Sequence, residues 1–108
     1  MNLMDRRVAE RVETNLQARW EGVLTRREGT IVDLSATGCF VLTSDEVKPG
    51  ELIRIEIQLS EQAWVYFWGE VVYKIPEIGF GLRLTGSSTA DEDKLADYIR
   101  HKRANQLA

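Results

Sequence analysis

The sequence predicts a small antiparallel β-barrel or sandwich followed by one C-terminal helix. Three observations carry that expectation. From Gln17 to Leu84, short runs rich in β-branched and aromatic residues alternate apolar and polar positions. Turn signals separate these runs at intervals of about 8–12 residues, the rhythm of small all-β domains. After Ser87 the period changes, and apolar residues recur at helical spacing.

The elements follow in order. Residues 1–16 are charged, with Leu3, Met4, Val8, Val12 and Leu16 scattered among them. Their spacing permits a short helical turn, but the segment is too short to hold itself, so residues 1–16 are expected to form a flexible N-terminal arm. Residues 17–108 are expected to form the barrel and helix of a single domain. Arg19-Trp20-Glu21-Gly22-Val23-Leu24 reads as a strand, and Arg26-Arg27-Glu28-Gly29 as a turn. Thr30 to Leu34 is a second strand, ended by Ser35-Ala36-Thr37-Gly38, and Cys39 to Thr43 is a third. Lys48-Pro49-Gly50 is a turn, because proline presets φ and glycine accepts the left-handed position. Ile53, Ile55, Ile57 and Leu59 alternate with Arg54, Glu56 and Gln58, which places one face inside and one in water. Ala63 to Lys74 is a long strand, Ile75-Pro76-Glu77 turns, and Ile78 to Leu84 returns.

On the long strand Trp64, Tyr66 and Trp68 share one face, and Val65 and Phe67 the other. Two apolar faces imply two coverings, and the expectation is barrel core on one side and the C-terminal helix on the other. A partner or dimer surface is the alternative for the aromatic face. Thr89-Ala90-Asp91-Glu92 fits a capping box at the helix start, and Leu95, Tyr98 and Ile99 give the helix an apolar face. Arg100, Lys102 and Arg103 near its end suit the helix dipole.

Composition narrows the function. The 108 residues carry 14 basic and 17 acidic side chains, a net charge of −3. That balance disfavours long nucleic acids, whose binding is driven by phosphate neutralisation. Ten of the basic residues are Arg and four are Lys. The guanidinium is a planar fork suited to phosphates and guanine edges, so a small arginine-lined site remains open. The single Cys39 excludes an internal disulfide and suits a reducing compartment. With one cysteine and one histidine, His101, the chain cannot assemble the usual zinc ligand sets or two independent nucleophile–base pairs. No spacing singles out two of the carboxylates as a catalytic pair, so an enzyme is not expected. No apolar run is long enough to span a membrane, and the N-terminus lacks a signal-peptide core; a cytoplasmic protein without membrane insertion is expected.

Two motifs carry chemistry. Arg6-Arg7-Val8-Ala9-Glu10-Arg11 contains R-x-x-x-R at Arg7 and Arg11, preceded by Arg6. Asp33-Leu34-Ser35-Ala36-Thr37-Gly38 is D-x-S-x-x-G after a strand. Guanidiniums on a terminal arm can close over an anion or grip a guanine edge. Asp33 can accept hydrogen bonds from a base. Ser35 can donate to a phosphate or stabilise the turn. Gly38 can supply a positive φ or a close backbone approach. Each motif alone admits a plainer reading: arginines paired with Asp5 and Glu10 on a solvated face, and a simple turn between strands.

Their combination, in this order around a barrel and a closing helix, resembles the PilZ domain family. The resemblance runs from Arg6 to the helix around Ile99 and includes the glycine-led strands Trp68-Gly69-Glu70-Val71-Val72 and Ile78-Gly79-Phe80-Gly81-Leu82. It implies a six-stranded antiparallel β-barrel with a C-terminal helix and a bacterial receptor for cyclic di-GMP. It further implies that Arg6, Arg7 and Arg11 grip phosphate and guanine, that Asp33 and Ser35 hold a guanine, and that Gly38 shapes the loop. Cys39 stands where the family often has a second glycine, a departure that bears on loop shape. No cofactor beyond the ligand is expected. Ordering of the arm over cyclic di-GMP would signal to a downstream partner protein, with the domain a monomer or weak homodimer. The competing readings are a ligand-independent protein-interaction adaptor on the same barrel and a small single-stranded nucleic-acid binder.

Overall fold

The computed structural model describes residues 10–21 and 26–107. Six strands and one helix occupy them: β1 (Val12–Glu21), β2 (Arg26–Leu34), β3 (Gly38–Leu42), β4 (Leu52–Ser60), β5 (Ala63–Ile75), β6 (Gly79–Gly86) and α1 (Thr89–Leu107). All neighbours are antiparallel, and the sheet closes as a barrel in the order β1-β2-β3-β6-β5-β4. Closure leaves the barrel without an unpaired edge strand.

Alternation builds the core. Ile53, Ile55 and Ile57 point inward and are fully buried, as are Val65 and Val71 of β5 and Phe80 of β6. Each such side chain stabilises the fold by about 1.5–3 kcal/mol through burial. Trp20 meets Phe80 edge to face inside the barrel, with ring centroids 5.4 Å apart. Both proline turns form. In the first, Glu51 N–H donates to Lys48 C=O at 2.9 Å, with Gly50 at φ 92°. In the second, Ile78 N–H donates to Ile75 C=O at 3.0 Å, with Glu77 at φ 65°.

Five expectations change. β1 begins at Val12, earlier than the change of period at Gln17. Val12, Thr14, Ala18 and Trp20 are buried on its inner face, so the strand enlists residues whose polar neighbours hide the alternation. Arg26 to Gly29 are not a turn but the first part of β2, paired with Glu21 to Ala18. Long-range ladder pairing there overrides the local turn composition. Val23 and Leu24 lie outside the described residues.

The helix cap is Ser88 rather than Thr89: Asp91 N–H donates to Ser88 Oγ at 3.1 Å. The helix then runs on to Leu107, past its basic cluster, so Arg100 and Arg103 pair with Asp97 and Glu10 instead of capping the end.

Finally, α1 does not cover the aromatic face of β5. Leu95 and Ile99 are buried in the same core cluster as the barrel interior, and the helix packs against β5 and β1. The helix start also takes up backbone groups where β6 runs out. Tyr66 N–H donates to Asp91 Oδ2 at 3.1 Å, and Ser87 Oγ–H donates to Tyr66 C=O. Tyr66 and Trp68 therefore stay 43% and 54% exposed on the outer wall. Trp64 lies under the Arg19 guanidinium, 4.1 Å from the ring centroid.

Candidate functional site

The site is built where β2 meets its two neighbours irregularly. The β1–β2 register shifts between Glu13 and Leu16, and the β2–β3 register shifts between Ile31 and Asp33. Such bulges re-aim side chains. Ile31 and Leu34 are both fully buried although three residues apart, and Asp33 between them faces outward with its side chain 41% exposed.

The Asp-x-Ser-x-x-Gly segment is a tight turn held from within. Ser35 N–H donates to Gly38 C=O at 2.8 Å. Ser35 Oγ accepts the N–H groups of Gly38 at 3.1 Å and Thr37 at 3.2 Å. Ser35 is 1% exposed, and its contacts are those of a turn staple. Thr37 C=O accepts Leu84 N–H at 2.9 Å, which fastens the turn to β6. Gly38 has no positive φ. It is required by close approach, because a Cβ there would stand 2.7 Å from the Leu82 carbonyl oxygen.

Arg11 enters from the start of β1. Its Nη1 lies 2.9 Å from Asp33 Oδ2, so one arginine of the first motif meets the aspartate of the second. The two motifs are thus brought together across β1 and β2. Arg6 and Arg7 lie outside the described residues. An open cleft of about 590 Å³ lies beside the pair, lined by Arg11, Val12, Glu13, Asp33 and Gln106. A second cavity of about 320 Å³ lies behind the turn, lined by Ala36, Phe67, Leu84 and Leu95 among others.

Sequence reasoning missed the contribution of α1. Arg103 Nε stands 2.8 Å from Glu10 Oε2, and Gln106 Nε2 donates to Glu13 C=O at 2.9 Å. No local pattern in the helix signals these contacts, because they join the two ends of the described chain.

Cys39 turns inward beneath the turn and is buried. Burial pushes its thiol up to about 12, the Asp33 charge adds to the rise, and Arg11 partly opposes it. Among the described residues no group of His, Cys, Asp and Glu is arranged to hold a metal ion. No described helix is long and apolar enough to cross a membrane.

Fold and site together define a barrel domain with a surface cleft where an arginine faces a carboxylate beside a buried, stapled turn. Residues 5–101 match the PilZ domain model, and the chain belongs to the PilZ domain family. Solved structures share the fold. The inhibitor of motility MotI/DgrA of Bacillus subtilis superposes with a TM-score of 0.82 at 20% identity, over 95% of this chain and 54% of its own. The PilZ domain of Escherichia coli YcgR with c-di-GMP gives 0.79 at 15% identity, over 94% of both chains. YcgR in complex with c-di-GMP gives 0.71 at 17% identity, over 95% of this chain and 51% of its own. The chain therefore spans about half the length of MotI/DgrA and of that YcgR chain. No curated protein matches it by sequence.

Proposed function

We propose that this domain is a non-catalytic receptor for cyclic di-GMP, bound in the cleft beside Arg11 and Asp33. The observation that carries the reading is the 2.9 Å Arg11–Asp33 pair, which joins the two motifs at one cleft. Arg11 can turn its fork to a phosphate or a guanine edge, while Asp33 accepts from a guanine's ring and exocyclic amines. Ser35 and Gly38 serve by holding the turn that presents Asp33. Arg6 and Arg7, in the segment leading to Arg11, supply two further forks, so three guanidiniums stand close together in the sequence of a chain whose net charge is −3. Closing of that segment over the ligand would remodel the surface read by a partner protein, an order-dependent switch driven by differential contacts. The family membership and the c-di-GMP complexes of YcgR support the choice of ligand.

Calorimetric titration with cyclic di-GMP, with GTP and cyclic GMP as controls, tests the reading. Saturable binding of cyclic di-GMP is expected. Arg11→Ala is expected to bind at least about tenfold more weakly, since removing one fork from a desolvated charge pair costs about 2–5 kcal/mol. Absence of heat at high micromolar ligand overturns the proposal. The adaptor reading draws on a different observation, the exposed outer wall of Leu52, Tyr66 and Trp68. It gains if cyclic di-GMP fails to bind.

A further inference from the structure

The end of α1 reaches the mouth of the cleft and contacts the chain on both sides of Arg11. Arg103 holds the carboxylate of Glu10, which precedes Arg11, at 2.8 Å. Gln106 donates to the carbonyl of Glu13, which follows it, at 2.9 Å and forms one wall of the cleft. Glu13 is also the residue opposite Asp33 in the β1–β2 ladder, at the point where the register shifts.

We propose that the last two turns of α1 are a latch for this site, with Arg103 and Gln106 as positioning residues for Arg11. The proposal rests on the reading of the cleft as a cyclic di-GMP site. Glu10 stands beside Arg11 in sequence. An unpaired carboxylate there would compete with the ligand's phosphates for the guanidinium and add repulsion toward a dianion. Arg103 removes that competitor. Gln106 fixes the backbone two residues after Arg11, at the edge of the irregularity in the β1–β2 ladder. Setting the arginine's direction before the ligand arrives lowers the ordering cost of binding. By linkage, a ligand that favours the latched arrangement must in turn favour the docked end of the helix.

The test is titration of the full chain with cyclic di-GMP, alongside amide hydrogen exchange at residues 103–106. Gln106→Ala is expected to weaken binding about 3- to 10-fold, the span of one lost hydrogen bond. Arg103→Gln is expected to weaken it about 2- to 5-fold, the span of an exposed ion pair. Glu10→Gln in the Arg103→Gln background is expected to restore most of the loss, because the competing carboxylate is then gone. A role confined to helix stability would not produce that rescue. Ligand is expected to slow exchange at residues 103–106 in the wild type, and less so in Gln106→Ala. Thermal midpoints should stay close to wild type throughout. A wild type that binds, with variants of equal affinity or no rescue, overturns the latch alone. A wild type that gives no heat overturns the site reading and the latch with it.

Discussion

Cys39 occupies a position where family resemblance suggests a glycine, and its surroundings make it a core residue. Its side chain is buried behind the turn that presents Asp33, and burial together with the Asp33 charge pushes the thiol up to about 12 from a usual 9.0. The folded state therefore keeps a proton that the unfolded chain gives up. Above pH 9 the unfolded state binds fewer protons than the native state, so stability falls with rising pH through the window up to about 12. Tyr98, half-buried against the core, is raised from 10.0 by burial and acts in the same direction. Denaturant unfolding of wild type and Cys39→Ala at pH 8 to 11 checks this. The wild type is expected to lose stability more steeply above pH 9, and parallel profiles would show that the thiol ionises freely in the fold. Ser35 makes the complementary point at the same scale. The sequence allowed its hydroxyl either a ligand or a turn role; in the structure Ser35 is 1% exposed and its oxygen accepts two backbone N–H groups of the turn.

At the scale of elements, the β3–β6 ladder depends on glycine for space rather than for φ. Gly38 lies opposite Arg83, and an added Cβ would meet the Leu82 carbonyl oxygen at 2.7 Å, a backbone atom held by the ladder. Gly38→Ala must therefore part β3 from β6 or tilt the turn, at a cost of about 1–3 kcal/mol, the usual range for overpacking. Gly86→Ala, at the end of β6 with nothing within 4 Å of the added carbon, is expected to change stability by less than about 0.5 kcal/mol. Midpoints of urea unfolding at unchanged slope check both, and equal midpoints would show that the ladder yields freely. Alternation made β4 legible from Ile53 to Gln58, because its isoleucines face inward while Arg54, Glu56 and Gln58 face outward. β2 was half legible. Arg26 to Gly29 look like a turn by composition, and their strand pairing comes from β1, which no local window contains.

At the scale of the molecule, charge is organised by pairing. Arg19 and Arg26 share Glu56, Arg27 holds Asp45, Arg83 holds Glu70 and Arg100 holds Asp97. On the outer wall of β4 and β5 the aromatic rings stand beside Arg54, opposite Trp68 and 5.8 Å from the centroid of the Tyr66 ring, and beside Arg19 and Arg26, which share one carboxylate. The net charge of −3 nonetheless opposes a long polyanion, whose binding depends on phosphate neutralisation more than on stacking surface. A filter-binding assay with a random single-stranded oligonucleotide near 0.15 M salt is expected to show no retention, at the ionic strength where exposed charges more than about 8 Å apart are screened. Retention that weakens steeply with salt would restore the nucleic-acid reading. The same wall was expected to lie beneath α1. The helix instead buries Leu95 and Ile99 in the core cluster and leaves Tyr66 and Trp68 exposed.

The sequence by itself determined the class of fold, the two motifs and their order along the chain. These are local properties: a period of two, proline and glycine at turns, arginines at fixed spacing. It also limited the chemistry, since one cysteine, one histidine and a net charge of −3 can be counted without coordinates. Only the tertiary structure decided that Arg11 meets Asp33, that Ser35 is buried in the turn, and that Arg103 and Gln106 contact the chain on either side of Arg11. The reason is physical. Gln106 and Glu13 lie 93 residues apart, and their contact follows from barrel closure and from the packing of the helix back onto β1. Barrel closure and the return of the helix onto β1 are outcomes of packing the whole chain, which no segment of it encodes alone.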